Sequence, residues 1–177
     1  MHDDIQSILI PAEQIQAAVA RLGADITRDY AGVDLHLLGV LRGAAPFVCD
    51  LMRAIALPVT VDFIGVTSYG PNVRGVVRIT KDLDESITNR HVLVLEGIVD
   101  TGLTLSYILR SLATRGPASL KVCTLLNKPA RRIIDVPLAY VGFEIPDEFV
   151  VGYGLDWRQK YRNLPYIATL KPEVLMG

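Results

Sequence analysis

Apolar and polar positions along the chain change their period several times, and each change marks an element. After Pro11, apolar residues fall at Ile15, Val19 and Leu22, the spacing of one helix face that a proline opens. Residues 35–41 form an apolar run interrupted only by His36, as expected of a strand buried on both faces, and Gly43 breaks it. Residues 46–55 read as a helix and 59–67 as a second strand. The stretch 68–74, with Gly70-Pro71-Asn72, reads as a loop, and 76–79 as a returning strand. Residues 92–95 form another buried strand, followed by a helix over 103–114 that Gly116-Pro117 ends. Apolar runs at 120–126 and 138–145 complete the strand set.

Strands and helices thus alternate with short connections. The order predicts an α/β fold with a mostly parallel twisted sheet flanked by helices. With 177 residues and no repeat, low-complexity tract or linker, the chain is expected to be a single domain, 1–177. From Phe149 onward the pattern is less regular, and residues 149–177 are expected to contribute a small hood or flap over a site. Ligands of parallel sheets bind beyond the carboxyl ends of the strands. The segments to read for chemistry are therefore Arg42-Gly43, Ser68-Tyr69, residues 96–104 and the turn after Leu126.

Composition narrows the function classes. Half the residues are hydrophobic, enough for a full core, and a net charge of -1 leaves no basic excess for nucleic acid. The acidic start Met1-His2-Asp3-Asp4 does not resemble a secretion leader, and no run approaches the ~18 apolar residues of a membrane span. A cytoplasmic protein without a membrane partner is expected. Cys49 and Cys123 sit among apolar neighbours and read as reduced core thiols. His2, His36 and His91 show no ligand spacing, which argues against zinc.

The strongest local signal is Glu96-Gly97-Ile98-Val99-Asp100-Thr101-Gly102-Leu103-Thr104, between a buried strand and an amphipathic helix. Thr101, Gly102 and Thr104 fall at the helix start, where free amides and two hydroxyls converge on a small anion. A glycine there permits close backbone approach. Asp100 and Glu96 flank this anion site, where a carboxylate would serve sugar hydroxyls, a metal ion or a proton. The same spacing also suits a plain helix cap by Asp100 and Thr101. No Gly-Lys-Ser/Thr follows, so this is not a Walker loop, and the glycine spacing is not that of a dinucleotide fingerprint.

This segment resembles the signature of type I phosphoribosyltransferases. Leu41-Arg42-Gly43, Ser68-Tyr69, Lys128, residues 141–147, Phe149 to Tyr153, Leu155-Asp156 and Tyr161-Arg162 fall in the order of the hypoxanthine-guanine phosphoribosyltransferases. The resemblance covers roughly residues 35–170 and implies transfer of a phosphoribosyl group to a 6-oxopurine, with Mg²⁺ as cofactor. It implies that Asp100 is the general base, and that Glu96, Asp100, Thr101, Gly102, Leu103 and Thr104 hold phosphate and ribose. Arg42, Gly43 and Arg162 would meet pyrophosphate, with the peptide before Arg42 often cis in the family. Lys128, Phe149, Val150 and Asp156 would take the purine, Glu96 and Asp156 the metal, and Ser68-Tyr69 would begin a closing loop. Small-molecule substrates and a homodimer or homotetramer are implied as partners.

Gly97 stands where the family carries a second acid, and restoring an acid there is expected to tighten binding of the sugar donor. Two rival readings stay open: a regulator of this fold that senses nucleotide and binds nucleic acid, and a transferase preferring xanthine.

Overall fold

The computed structural model describes residues 2–68 and 77–176. In chain order the elements are β1 (Ile5–Ile10), α1 (Ala12–Asp29), β2 (Leu35–Leu41), α2 (Ala45–Ala54), β3 (Val59–Ser68), β4 (Val77–Lys81) and β5 (His91–Val99). There follow α3 (Leu103–Ala113), β6 (Ser119–Asn127), β7 (Tyr140–Glu144), β8 (Val150–Val151), β9 (Ile167–Leu170) and α4 (Pro172–Met176). Six strands form the main sheet in the order β4-β3-β2-β5-β6-β7. All neighbours run parallel except β4, which turns back on β3. The expected α/β class and the mostly parallel sheet are both present.

The two faces of the sheet are buried by different helices. Leu35, Leu37, Leu93 and Leu95 point to α1 and α2, where Ile15, Leu22, Phe47 and Leu51 meet them. Leu38, Val92 and Val94 point the other way, against Leu105, Ile108 and Leu112 of α3. Such two-sided burial is why these strands read as largely apolar runs rather than alternating ones.

The structure departs from the pattern in three places. β5 runs past the apolar stretch to Val99, because pairing with β6 continues through Glu96↔Thr124 and Ile98↔Leu126. Apolarity stops at the first acid, whereas backbone hydrogen bonding does not. A second, antiparallel sheet, β1-β9-β8, joins the two ends of the described chain. β8 and β9, from the segment 149–177, thus share a sheet with residues 5–10. β1 is mostly exposed and β8 has only two residues, so neither shows a periodic signal. Finally, Cys49 lies on the exposed face of α2 rather than in the core, since helical spacing turns Phe47, Val48 and Leu51 inward instead. Cys123 is buried as expected, and burial pushes its thiol pKa far up.

Candidate functional site

Three cavities lie beyond the carboxyl ends of β2, β3, β5 and β6. The first, about 110 Å³, is lined by Glu96, Ile98, Val99, Asp100, Thr101, Gly102, Thr104 and Leu105. It sits at the start of α3, whose first helical bond runs from the Ser106 amide to the Gly102 carbonyl. The amides before Ser106 have no intrahelical acceptor, so they are available to an anion. Leu103 is exposed and outside the lining, so only its backbone can take part.

The loop is held from behind by the segment after β6. Amides of Ile133 and Ile134 donate to the Thr101 carbonyl at 2.9 and 3.0 Å. Arg132 donates from Nε to the Asp100 carbonyl at 3.0 Å and from Nη2 to the Val99 carbonyl at 3.3 Å. Gly102 has φ +80°, and a β-carbon on it would stand 2.2 Å from the Ile134 carbonyl oxygen. Sequence reasoning passed over Arg132. Its position four residues after Lys128 was visible, but not that its guanidinium would reach back to the loop.

Asp100 is not a cap. The cap position of α3 is Gly102, with no side-chain cap bond; Thr101 Oγ1 accepts only a long contact from the Leu103 amide, 3.4 Å. Asp100 Oδ1 is instead buried without a hydrogen-bond partner among the described residues. The carboxylate lines both the first cavity and a second one, of about 270 Å³.

That second cavity is walled by Ile98, Asp100, Lys128, Arg131, Phe149, Val150, Leu155 and Asp156. Lys128, which on composition alone would be a surface residue, is 4% exposed. Its Nζ donates to the Glu148 carbonyl at 2.7 Å, fixing its reach while leaving further donors. Phe149 is exposed, standing edge-on to Trp157 with centroids 5.4 Å apart. Arg131, paired with Asp147 at 2.5 Å, is a wall residue that the pattern did not single out.

The third cavity, about 490 Å³, is bounded by Arg42, Arg162, Gln159, Lys81, Thr67 and Thr80 among others. Gln159 organises it: Oε1 accepts from Arg42 Nη1 and Arg162 Nη2, each at 3.0 Å. Arg162 also pairs with Asp156 at 2.7 Å, joining the second cavity to the third. Gln159 and its neighbours Arg158 and Tyr161 hold φ of 65°, 52° and 73°, values uncommon for residues with side chains. Gln159 was missed because nothing periodic marks its segment. Gly43 does not wall this cavity. The Leu41–Arg42 peptide is cis. Ser68 ends β3, and Tyr69 with the rest of its loop lies outside the described residues.

Glu96 resolves an electrostatic difficulty. A carboxylate beside a phosphate site is repulsive, but burial in β5 pushes the Glu96 pKa up to about 8, against a smaller lowering by the Gly97 amide. The carboxyl, partly open to the first cavity, is therefore mostly neutral at pH 7. Because the folded pKa lies above the ordinary 4.5, the unfolded chain ionises first. This group's contribution to stability is full below pH 4.5 and declines as pH rises towards 8. Glu96→Gln is expected to remove that decline: thermal melts should show the variant gaining on the wild type between pH 5 and 8. Parallel curves across that window would refute the assignment.

No described helix is long and apolar enough to cross a membrane. His36 and His91 bond to Thr60 and Ser119 at 2.9 and 2.8 Å, away from these cavities.

A sequence profile for the phosphoribosyl transferase domain matches residues 8–158. A hypoxanthine-guanine phosphoribosyltransferase of Mycobacterium avium is 55% identical over 97% of this chain and 88% of its own. The crystal structure of a hypoxanthine phosphoribosyltransferase from Staphylococcus aureus superposes with TM-score 0.95 at 50% identity, covering 98% of this chain and 96% of that one. The Trypanosoma cruzi enzyme in complex with the product IMP superposes with TM-score 0.92 at 40% identity, covering 98% of each chain. The profile match, the near full-length identity and the three joined cavities place the chain in the hypoxanthine-guanine phosphoribosyltransferase family of phosphoribosyl transferase domains.

Proposed function

We propose that the protein transfers the 5-phosphoribosyl group of 5-phospho-α-D-ribose 1-diphosphate to a 6-oxopurine, hypoxanthine or guanine, releasing IMP or GMP and pyrophosphate. The observation that carries this reading is the buried, unpartnered Oδ1 of Asp100 on the wall shared by the first two cavities. In the reaction a bond forms between purine N9 and C1 of the sugar. The bond from C1 to the pyrophosphate oxygen breaks, and the purine N7 proton passes to Asp100. A positioned carboxylate within hydrogen-bond reach of N7 suffices as the base.

The first cavity would hold the 5′-phosphate through the amides and hydroxyls of Thr101, Gly102, Leu103 and Thr104. A mostly neutral Glu96 beside it would bond the ribose hydroxyls without repelling the phosphate. Lys128 Nζ, a pure donor, would meet O6, which only accepts. Phe149 would cover the base face and Val150 would offer backbone groups to its edge. Arg42 and Arg162, held as a pair by Gln159, would grip the pyrophosphate. Ser68 and Tyr69 would begin the segment that excludes water from the oxocarbenium-like sugar.

A divalent cation fits as a guest of the substrate. Among the described residues no three His, Cys, Asp or Glu side chains converge, while Asp156 supplies carboxylate oxygen beside the arginine pair. Mg²⁺ favours such a setting, with one or two carboxylates, phosphate oxygens and waters. Bound there it would offset charge on the pyrophosphate. Asp156 is the residue proposed to hold it, with Glu96 nearer the ribose joining only as the cation displaces its proton. The family resemblance supports a homodimer or homotetramer, and the composition supports a cytoplasmic location. Residues 149–177 are proposed as part of a single domain's hood, since Phe149, Val150 and Asp156 wall the base cavity.

The test is a spectrophotometric assay of hypoxanthine, guanine and xanthine in turn, each with the sugar donor and Mg²⁺. Turnover is expected with hypoxanthine and guanine. Failure with every 6-oxopurine would sink the proposal.

A further inference from the structure

The departure at Gly97 has a structural counterpart. A β-carbon built on Gly97 would stand 3.1 Å from the carbonyl oxygen of Gly43, 3.2 Å from its carbonyl carbon and 3.5 Å from the Ala44 amide nitrogen. The first two distances are tighter than ordinary contact, so the turn from Arg42 to Ala44 rests against the backbone of β5 only because residue 97 has no side chain. A second glycine crowds the same carbonyl. Gly154, at φ +98°, approaches so closely that a β-carbon there would lie 2.1 Å from the Gly43 oxygen. Gly154 is itself fixed: its amide donates to the Arg162 carbonyl at 2.9 Å, and its carbonyl accepts from Arg162 Nη1 at 2.6 Å. The turn is thus in close contact with both β5 and the segment that carries Asp156, Gln159 and Arg162.

We infer that Gly97 is a positioning residue for the pyrophosphate half of the donor, acting through the Arg42–Ala44 turn. The inference rests on the function proposed above. It reverses the expectation drawn from the sequence. An acid at position 97 arrives with a β-carbon, and the turn, also in close contact with Gly154, must shift by a few tenths of an ångström to admit it. Arg42 leads into this turn and walls the pyrophosphate cavity, so the shift falls on the groups that meet the leaving group. Since a 1 Å misplacement can cost about 10²-fold, a displacement this small should cost about three- to ten-fold.

The experiment compares wild type, Gly97→Ala and Gly97→Asp by calorimetric titration with magnesium pyrophosphate, with the sugar donor plus Mg²⁺, and with IMP, which lacks the pyrophosphate. Alanine supplies the β-carbon without the charge. Gly97→Ala is expected to weaken pyrophosphate and donor about three- to ten-fold while IMP stays within about two-fold. The KM for the donor should rise, with kcat little changed. Gly97→Asp should likewise weaken pyrophosphate. Unchanged pyrophosphate affinity in Gly97→Ala, or an equal loss for IMP, would overturn the inference. So would loss of the fold, because a positioning role means a displaced turn in an otherwise intact molecule. A wild-type chain that binds neither donor nor pyrophosphate defeats the proposed function as well. Wild-type binding with an unchanged alanine variant defeats this inference alone.

Discussion

Asp100→Asn should lower kcat by about 10²–10⁴-fold, the usual contribution of a positioned general base, and leave thermal stability almost untouched. The two halves of this prediction have separate grounds. Loss of rate follows from an amide's inability to take the N7 proton. Preserved stability follows from the absence of any partner for Oδ1 among the described residues and from the Gly102 cap. A capping aspartate would behave in the opposite way: its replacement costs about 1 kcal/mol, a fall of roughly 2–4 °C in Tm for a chain of this size, with little kinetic effect. Thermal melts and initial rates on one preparation separate the two. A fall in Tm with near-normal kcat would remove Asp100 from the chemistry.

Gly102→Ala is expected to cost both stability and phosphate binding. Two penalties combine. The left-handed conformation at φ +80° is worth about 1–2 kcal/mol against any residue with a β-carbon. The Ile134 carbonyl, which that carbon would meet at 2.2 Å, must also move, adding about 1–3 kcal/mol of overpacking. A drop of roughly 5–15 °C in Tm follows from the sum. The moved carbonyl belongs to the segment whose amides fix Thr101, so IMP affinity should fall about 10²-fold. Gly116→Ala provides the comparison. It has φ +67°, and its nearest neighbour to an added β-carbon is Thr88 Cγ2 at 3.8 Å. It should show the conformational penalty alone, with normal IMP binding. Equal effects of the two substitutions would show that the clasp behind the phosphate loop has no part in binding.

How far the chain's pattern reaches depends on the kind of interaction. The parallel sheet was legible because its strands are buried on both faces, so Leu35–Leu41 is apolar except for His36, and its short length between turn residues marks it as a strand. The phosphate loop was legible because anion binding by a helix start needs small and hydroxylic residues at adjacent positions. Pairing across long separations leaves no such trace: β8, with two residues, is held by β9 and carries no period of its own. The second support of the site was hidden for the same reason. Arg132 grips carbonyls at positions 99 and 100, and Gln159 bridges two arginines from a stretch of left-handed backbone. Side chains that bond to backbone or reach across loops obey geometry that composition does not encode. The choice between surface and site for Lys128 needed burial, which only the fold supplies.

The pairing of β1 with β9 also bears on biosynthesis. Ser7 and Thr169, which share a hydrogen bond at 2.8 Å, are 162 residues apart. On the ribosome, β1 emerges before the other described strands and then waits, without its partner β9, until nearly all the described chain has been made. The parallel sheet can assemble in the meantime, since its strands follow one another closely. The small sheet closes last, and with it the wall of the base cavity that β8 carries. Nascent chains stopping short of residue 167 would therefore lack the strand that pairs both β1 and β8, leaving the base pocket unfinished, so premature release should yield inactive fragments.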